Sequence, residues 1–176
     1  MPVEHSLWQF FVDHRPSLVV DLAKMFAALG DDLVLLPLAV LLAFFGLATR
    51  KRTLATLGPV FAIVPTFVAV GAMKTLIDRS RPPAAQALVE VTSASMPSGH
   101  AAYAAALAAT AWVLVASSPR AALWRSVAVV VAVLAGIARM VLGVHWAGDI
   151  VVGWAVGGIV GFCVVTALGK RLQSNG

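Results

Sequence analysis

Three short polar clusters interrupt a strongly apolar chain: Lys74 to Pro82, Pro97 to His100 and Arg139 to Asp149. The first reads Lys-Thr-Leu-Ile-Asp-Arg-Ser-Arg-Pro, with Lys74 and Arg81 seven positions apart. Seven residues are two helical turns, so both side chains are expected on one face. A guanidinium meets phosphate oxygens in bidentate fashion, and an ammonium adds a compact point charge. The ordinary alternative is a Lys74–Asp78 pair at i, i+4 that anchors the chain at the interface. The second cluster, Met96-Pro97-Ser98-Gly99-His100, directly precedes an alanine-rich run. Ser98 is placed to cap a helix, and Gly99 lets the backbone approach a ligand closely. Free N–H groups and the positive dipole end make a helix N-terminus an anion site. His100, one residue inside, is placed to give a proton to a leaving oxygen; the alternative is a capped helix with an interfacial histidine. The third cluster carries Arg139, His145 and Asp149. Arg139 lies within a span, where an unmatched charge is unfavourable by about 3 kcal/mol. Asp149 or a bound phosphate can supply its counter-charge. His145 and Asp149, four apart, are expected to adjoin on a helix, and a carboxylate holding one imidazole nitrogen leaves the other free to attack. A structural Arg139–Asp149 pair with His145 as a cap is the competing reading.

These clusters must be positioned by membrane helices. Of 176 residues 60% are hydrophobic and only 12% charged, and the mean hydropathy is +0.92. That departs far from soluble domains and implies one integral membrane domain, residues 1–176. Five segments of roughly 20 residues fit a bilayer: about Leu33–Thr49, Thr53–Ile77, Gly99–Ser117, Ser126–Val144 and Ile150–Gly169. Short loops make neighbours antiparallel in a compact all-α bundle, and Pro37, Pro59 and Pro65 are expected to kink the first two spans. Residues 1–30 are more polar. Leu7, Phe10 and Phe11 precede Pro16, which suits the first turn of a second helix with Leu18, Leu22, Met25 and Leu29 on one face. This region is expected as an amphipathic helix pair on the outer interface, the alternative being a sixth, polar-broken span. Residues 33–169 form the transmembrane core and 170–176 a cytoplasmic tail. Arg50, Lys51 and Arg52, then Arg120 and Arg125, then Lys170 and Arg171 lie in alternate connections. Placing them in the cytoplasm puts all three polar clusters on the extracytoplasmic side. The net charge of +5 is therefore read as orientation signals and ligand contacts, not as a nucleic-acid surface. Cys163 is the single cysteine and makes no intrachain disulfide. The N-terminus lacks the pattern of a cleaved signal peptide.

In order and spacing the clusters resemble the type-2 phosphatidic-acid phosphatase family, membrane relatives of the vanadium haloperoxidases. The family pattern K-x6-R-P is met at Lys74, Arg81 and Pro82, and P-S-G-H at Pro97 to His100. The third motif, S-R-x5-H-x3-D, is met at Arg139, His145 and Asp149, but Ala138 stands in place of its serine. The resemblance spans about residues 53 to 169. It implies that His145 attacks phosphorus to form a phosphohistidine and that Asp149 orients His145. His100 would protonate the leaving group and then activate water. Lys74, Arg81, Arg139, Ser98 and Gly99 would hold the phosphate oxygens. No metal and no cofactor is implied, because the cations supply the electrostatic stabilisation. Substrates of the family include polyprenyl pyrophosphates, phosphatidic acid and phosphatidylglycerol phosphate.

The compact form is similar to small bacterial members, so undecaprenyl or decaprenyl pyrophosphate is the first expectation. Phosphatidic acid, phosphatidylglycerol phosphate and decaprenylphosphoryl-phosphoribose are alternatives. The partners expected are the lipid substrate and surrounding membrane lipids, in the bacterial plasma membrane. A different class, a protein that binds or transports a lipid phosphate without cleaving it, needs only the cations. The two histidines and Asp149 argue against it. A haloperoxidase is disfavoured by the membrane-buried chain.

Overall fold

The computed structural model describes residues 2–31 and 53–174 together with Leu35, Pro37, Val40, Leu41, Phe44 and Ala48. Among these residues the chain is helical, as α1 (Pro2–Asp13), α2 (Ser17–Leu29), α3 (Leu54–Ile77), α4 (Gly99–Leu114), α5 (Ala121–Val141) and α6 (Ala147–Ser174). A short 3-10 turn occupies Ala84–Gln86. Three stretches are long and apolar enough to cross a membrane: Leu54–Ile77, Ala121–Val141 and Ala147–Leu172. Thr53 opens α3 by accepting a hydrogen bond from Thr56 N, and the helix continues through Pro59 and Pro65. The span expected to reach Ser117 is shorter, because α4 stops at Leu114. Of the expected span 33–49, the six described residues are helical. The rest of it, and the Arg50–Arg52 cluster, lie outside the described residues.

α4 packs most extensively on α6, and the reason is a row of glycines at every fourth position: Gly153, Gly157 and Gly161. Such small residues let two helix backbones approach closely in a membrane, where van der Waals contact replaces the hydrophobic effect. A Cβ on Gly153 would lie 2.6 Å from Ser98 O, and one on Gly161 2.8 Å from Ala106 Cα. One on Gly157 would overlap the Ala102 carbonyl. Gly157→Ala is therefore expected to force α4 away from α6 and destabilise the fold by about 1–3 kcal/mol. Thermal unfolding in detergent measures this, with Gly158→Ala as control, since nothing lies within 4 Å of a Cβ there.

The N-terminal region forms two helices of 12 and 13 residues, each about 20 Å long and short of the bilayer's apolar thickness of about 30 Å. Pro16 sits immediately before α2, at its cap, and not in its first turn. The packing face of α2 is also not the expected one. Ala23 and Ala27 meet Ala138, Val141 and Leu142 of α5 and its following loop, whereas Leu18, Leu22 and Met25 are exposed. The alanine face permits close approach to α5, leaving the leucine face outward. On α1, Trp8 and Val12 are buried while Leu7 and Phe10 are exposed. Trp8 Nε1 donates to Gly143 O at 3.3 Å, and Arg15 Nη1 donates to Gln86 O and Val141 O at 3.0 and 3.1 Å. The helix pair thus braces the loop between α5 and α6, the loop that carries His145.

Candidate active site

The three polar clusters meet at one end of the bundle, where α3 ends, α4 begins, and α5 turns into α6. α3 ends at Ile77 because Asp78 adopts a left-handed backbone, φ 42°. Arg81 is therefore outside the helix, and the shared helix face expected for Lys74 and Arg81 does not exist. They converge by another route, on the loop before Pro97. Lys74 Nζ donates to Ser93 Oγ at 3.1 Å and to Ala94 O. Arg81 donates through Nη2 to Ser93 Oγ at 3.3 Å and Ala94 O at 3.2 Å, and through Nε to Ser93 O at 2.6 Å. Its Nη1 reaches Val144 O at 2.7 Å and His145 Nε2 at 3.3 Å.

Ser98 occupies the cap position of α4 and is fully buried, but its hydroxyl makes no capping bond. Its Oγ has no protein hydrogen-bond partner, whereas its N–H donates to Asp149 O at 2.9 Å. A buried hydroxyl of this kind needs an acceptor or donor from a ligand or water. His100 is held by α2: its Nε2 donates to Ala27 O at 3.0 Å, and its ring lines the cavity described below.

α5 ends with buried Arg139 in its last turn. Gly143 then takes a left-handed backbone, φ 77°, a conformation glycine adopts without a steric penalty. This tight turn delivers His145 ahead of α6, so His145 and Asp149 do not share a helix as expected. They still meet: His145 Nδ1 donates to Asp149 Oδ2 at 3.3 Å, and both side chains are at most 2% exposed. Asp149 Oδ2 also accepts from Trp146 N at 2.8 Å and from Ser95 Oγ. The network assigns the proton to Nδ1 and leaves Nε2 as an acceptor from Arg81. Burial lowers the His145 pKa to about 4 against the opposing Asp149 hydrogen bond, with Arg81 and Arg139 adding to the shift. The imidazole is therefore neutral near pH 7, the state a nucleophile requires.

A cavity of about 570 Å³ receives Lys74, Arg81, Arg139, Gly99, His100 and His145. Val89–Val91 of the loop after α3 form part of its wall, together with Lys24 of α2. An apolar groove of about 320 Å³ shares His100 and continues past Ala104, Leu107 and Ala111 of α4 and Ala128 and Ala135 of α5. Ala138 belongs to the apolar seam between α5 and α2. Among the described residues no three His, Cys, Asp or Glu side chains are grouped to hold a metal. The cavity instead sets guanidinium and ammonium groups beside a neutral imidazole, a combination suited to binding a phosphate and attacking it in line.

Sequence reasoning missed Arg79, Ser95, Ser93 and Glu4. Arg79 Nη1 donates to Asp149 Oδ1 at 2.9 Å, and its Nη2 donates to Glu4 Oε2 at 2.7 Å. The counter-charge that reaches Asp149 is thus Arg79, 70 residues earlier. The available signal was the extra arginine inside the first cluster.

A sequence profile described as the PAP2 superfamily matches residues 55–173. No match is found among curated proteins. Among solved structures, the chain is similar to a transmembrane PAP2-type phosphatidylglycerolphosphate phosphatase from Bacillus subtilis. That match has 28% identity and a TM-score of 0.82, covering 97% of this chain and 86% of the other. It is also similar to LpxE from Aquifex aeolicus, with 26% identity and a TM-score of 0.71, over 92% of this chain and 93% of that one. Profile and structural likeness agree with the convergence of the three motifs: the chain belongs to the PAP2 superfamily and has the fold of its membrane lipid phosphatases.

Proposed function

We propose that this protein hydrolyses the terminal phosphate of a lipid phosphate without a metal, through a phosphohistidine on His145. The observation that carries this reading is the His145–Asp149 pair, buried with Nδ1 anchored and Nε2 directed to Arg81. Lys74, Arg81 and Arg139 neutralise the phosphate oxygens, joined by the Ser98 hydroxyl and the Gly99 backbone. His145 Nε2 forms a bond to phosphorus as the bond to the leaving oxygen breaks. His100, protonated at Nδ1, gives that oxygen its proton. Water then attacks the phosphohistidine, His100 takes the water's proton, and cleavage of the P–N bond returns neutral His145 with free phosphate. A protein that only bound lipid phosphates would have no use for this pair.

The tail of the substrate lies in the apolar groove between α4 and α5, which begins at His100. The cavity above it has room for a diphosphate, with Lys24 beyond the other cations. A polyprenyl pyrophosphate, undecaprenyl or decaprenyl, is the substrate this favours. Phosphatidylglycerol phosphate is the second reading, favoured by the likeness to the Bacillus subtilis phosphatase. The site opens on the extracytoplasmic side of the bacterial plasma membrane. Arg120, Arg125, Lys170 and Arg171 at the other end support this orientation, and the outward leucines of α2 support an interfacial N-terminal pair.

Phosphate release from a panel of lipid phosphates by the purified protein tests the reading. Turnover is expected to persist in EDTA, to be inhibited by vanadate, and to be fastest with a polyprenyl pyrophosphate. Fastest turnover of phosphatidylglycerol phosphate would give the second reading instead. No release from any lipid phosphate, or turnover abolished by EDTA, would overturn the proposal.

A further inference from the structure

Asp149 uses its two oxygens for different partners. Oδ2 faces His145, Trp146 N and Ser95, while Oδ1 accepts from Arg79. Arg79 then bridges outward to Glu4 on α1, whose other oxygen accepts the Gly148 N–H of α6 at 2.9 Å. One guanidinium therefore ties the first turn of an N-terminal helix to the carboxylate behind His145. Glu4 is held ionised by its hydrogen bond from Arg79, against the cost of burial. Burial works against the charge of Arg79, yet the two carboxylates prevail and raise its pKa.

We propose that Arg79 and Glu4 are positioning residues: Arg79 fixes the Asp149 carboxylate toward His145, and Glu4 offsets the Arg79 charge so that Asp149 remains free to stabilise His145. This rests on the reading of His145 and Asp149 as the reacting pair. A lone Arg79 would turn Asp149 into a neutral ion pair and weaken its hold on the positive charge that His145 acquires. With Glu4 present, Arg79 and Glu4 together are close to neutral, and the full carboxylate charge acts on the imidazole. Other charged groups face the pair as well. Arg81, Arg139, Lys74 and His100 line the cavity beside His145, Lys24, Glu90 and Asp31 lie further along its wall, and His5 of α1 sits 6.3 Å from the Trp146 ring. All of these are unchanged in the variants below, so differences between variants report Arg79 and Glu4.

Removing either charge has opposite consequences for His145. Arg79→Gln leaves two carboxylates near the imidazole and favours its protonated form. Glu4→Gln leaves Arg79 paired with Asp149 alone, which draws the carboxylate charge away from the imidazole and disfavours that form. The test compares the pH dependence of kcat/KM for full-length wild type, Glu4→Gln, Arg79→Gln and the double variant, with His145→Ala as reference and thermal melting for each. The acid limb is expected to move up in Arg79→Gln and down in Glu4→Gln, by about half a pH unit each. The double variant is expected to return toward the wild-type limb. In both single variants kcat is expected to fall about tenfold with KM within about twofold, since neither residue is placed on the phosphate. Limbs that move together, or wild-type kcat in either single variant, would overturn the positioning role. If Arg79→Gln fails to fold, Glu4→Gln still decides it, being isosteric and at a partly exposed position: its limb must move down. An inactive wild type, or an active His145→Ala, would overturn the phosphatase reading instead.

Discussion

Replacing His145 by alanine is expected to abolish lipid phosphate turnover, with a loss of about four orders of magnitude or more. The bundle is expected to remain folded, because the imidazole is fixed by Asp149 and Arg81 and belongs to none of the apolar clusters that join the helices. Lys74, Arg81 and Arg139 stay in place in this variant, so lipid phosphate should still bind. A variant that binds substrate and melts like the wild type yet releases no phosphate separates nucleophile from cradle. Near-normal turnover would sink the assignment of His145.

Asp149→Asn is expected to produce the second-largest loss, about three orders of magnitude in kcat, with a smaller change in KM. An asparagine amide turned toward His145 presents an N–H where the carboxylate accepted one, so the imidazole proton moves to Nε2 and blocks the attacking nitrogen. The same change removes one of the two carboxylates of Arg79 and an acceptor for Trp146 N and Ser95. Stability must therefore be measured beside activity. If kcat falls only in proportion to the folded fraction, Asp149 is a structural residue and not an orienting one.

Much of the candidate site was legible in the sequence because charged and polar groups are few and costly in an apolar chain. Lys74, Arg81, His100, Arg139 and His145 all reach one cavity, and the end of the bundle that holds them follows from short antiparallel connections. Their convergence does not come from the shared helix faces that spacing predicts. Lys74 and Arg81 meet at Ser93 and Ala94, since Asp78 ends α3 before Arg81. His145 and Asp149 meet across a helix start, since Gly143 turns the chain there. Helical periodicity does not reveal where a backbone leaves the helix. The role of Arg79 escapes local spacing for a related reason: its two acceptors, Glu4 and Asp149, lie 75 and 70 residues away. The packing face of α2 differs from the expected one because hydrophobicity favours leucine, whereas the seam against α5 selects small side chains. In a membrane protein an outward leucine face carries little penalty, so hydrophobicity alone does not identify the buried side.

The central claim is a covalent bond between phosphorus and His145. Its most direct measurement is rapid quenching of the purified protein with a lipid phosphate radiolabelled in the terminal phosphoryl group, followed by peptide mapping. The predicted result is a label that is stable in alkali and lost in acid, carried by the peptide containing His145 and absent from His145→Ala. A label on any other residue, or full turnover in a protein lacking His145, would contradict it.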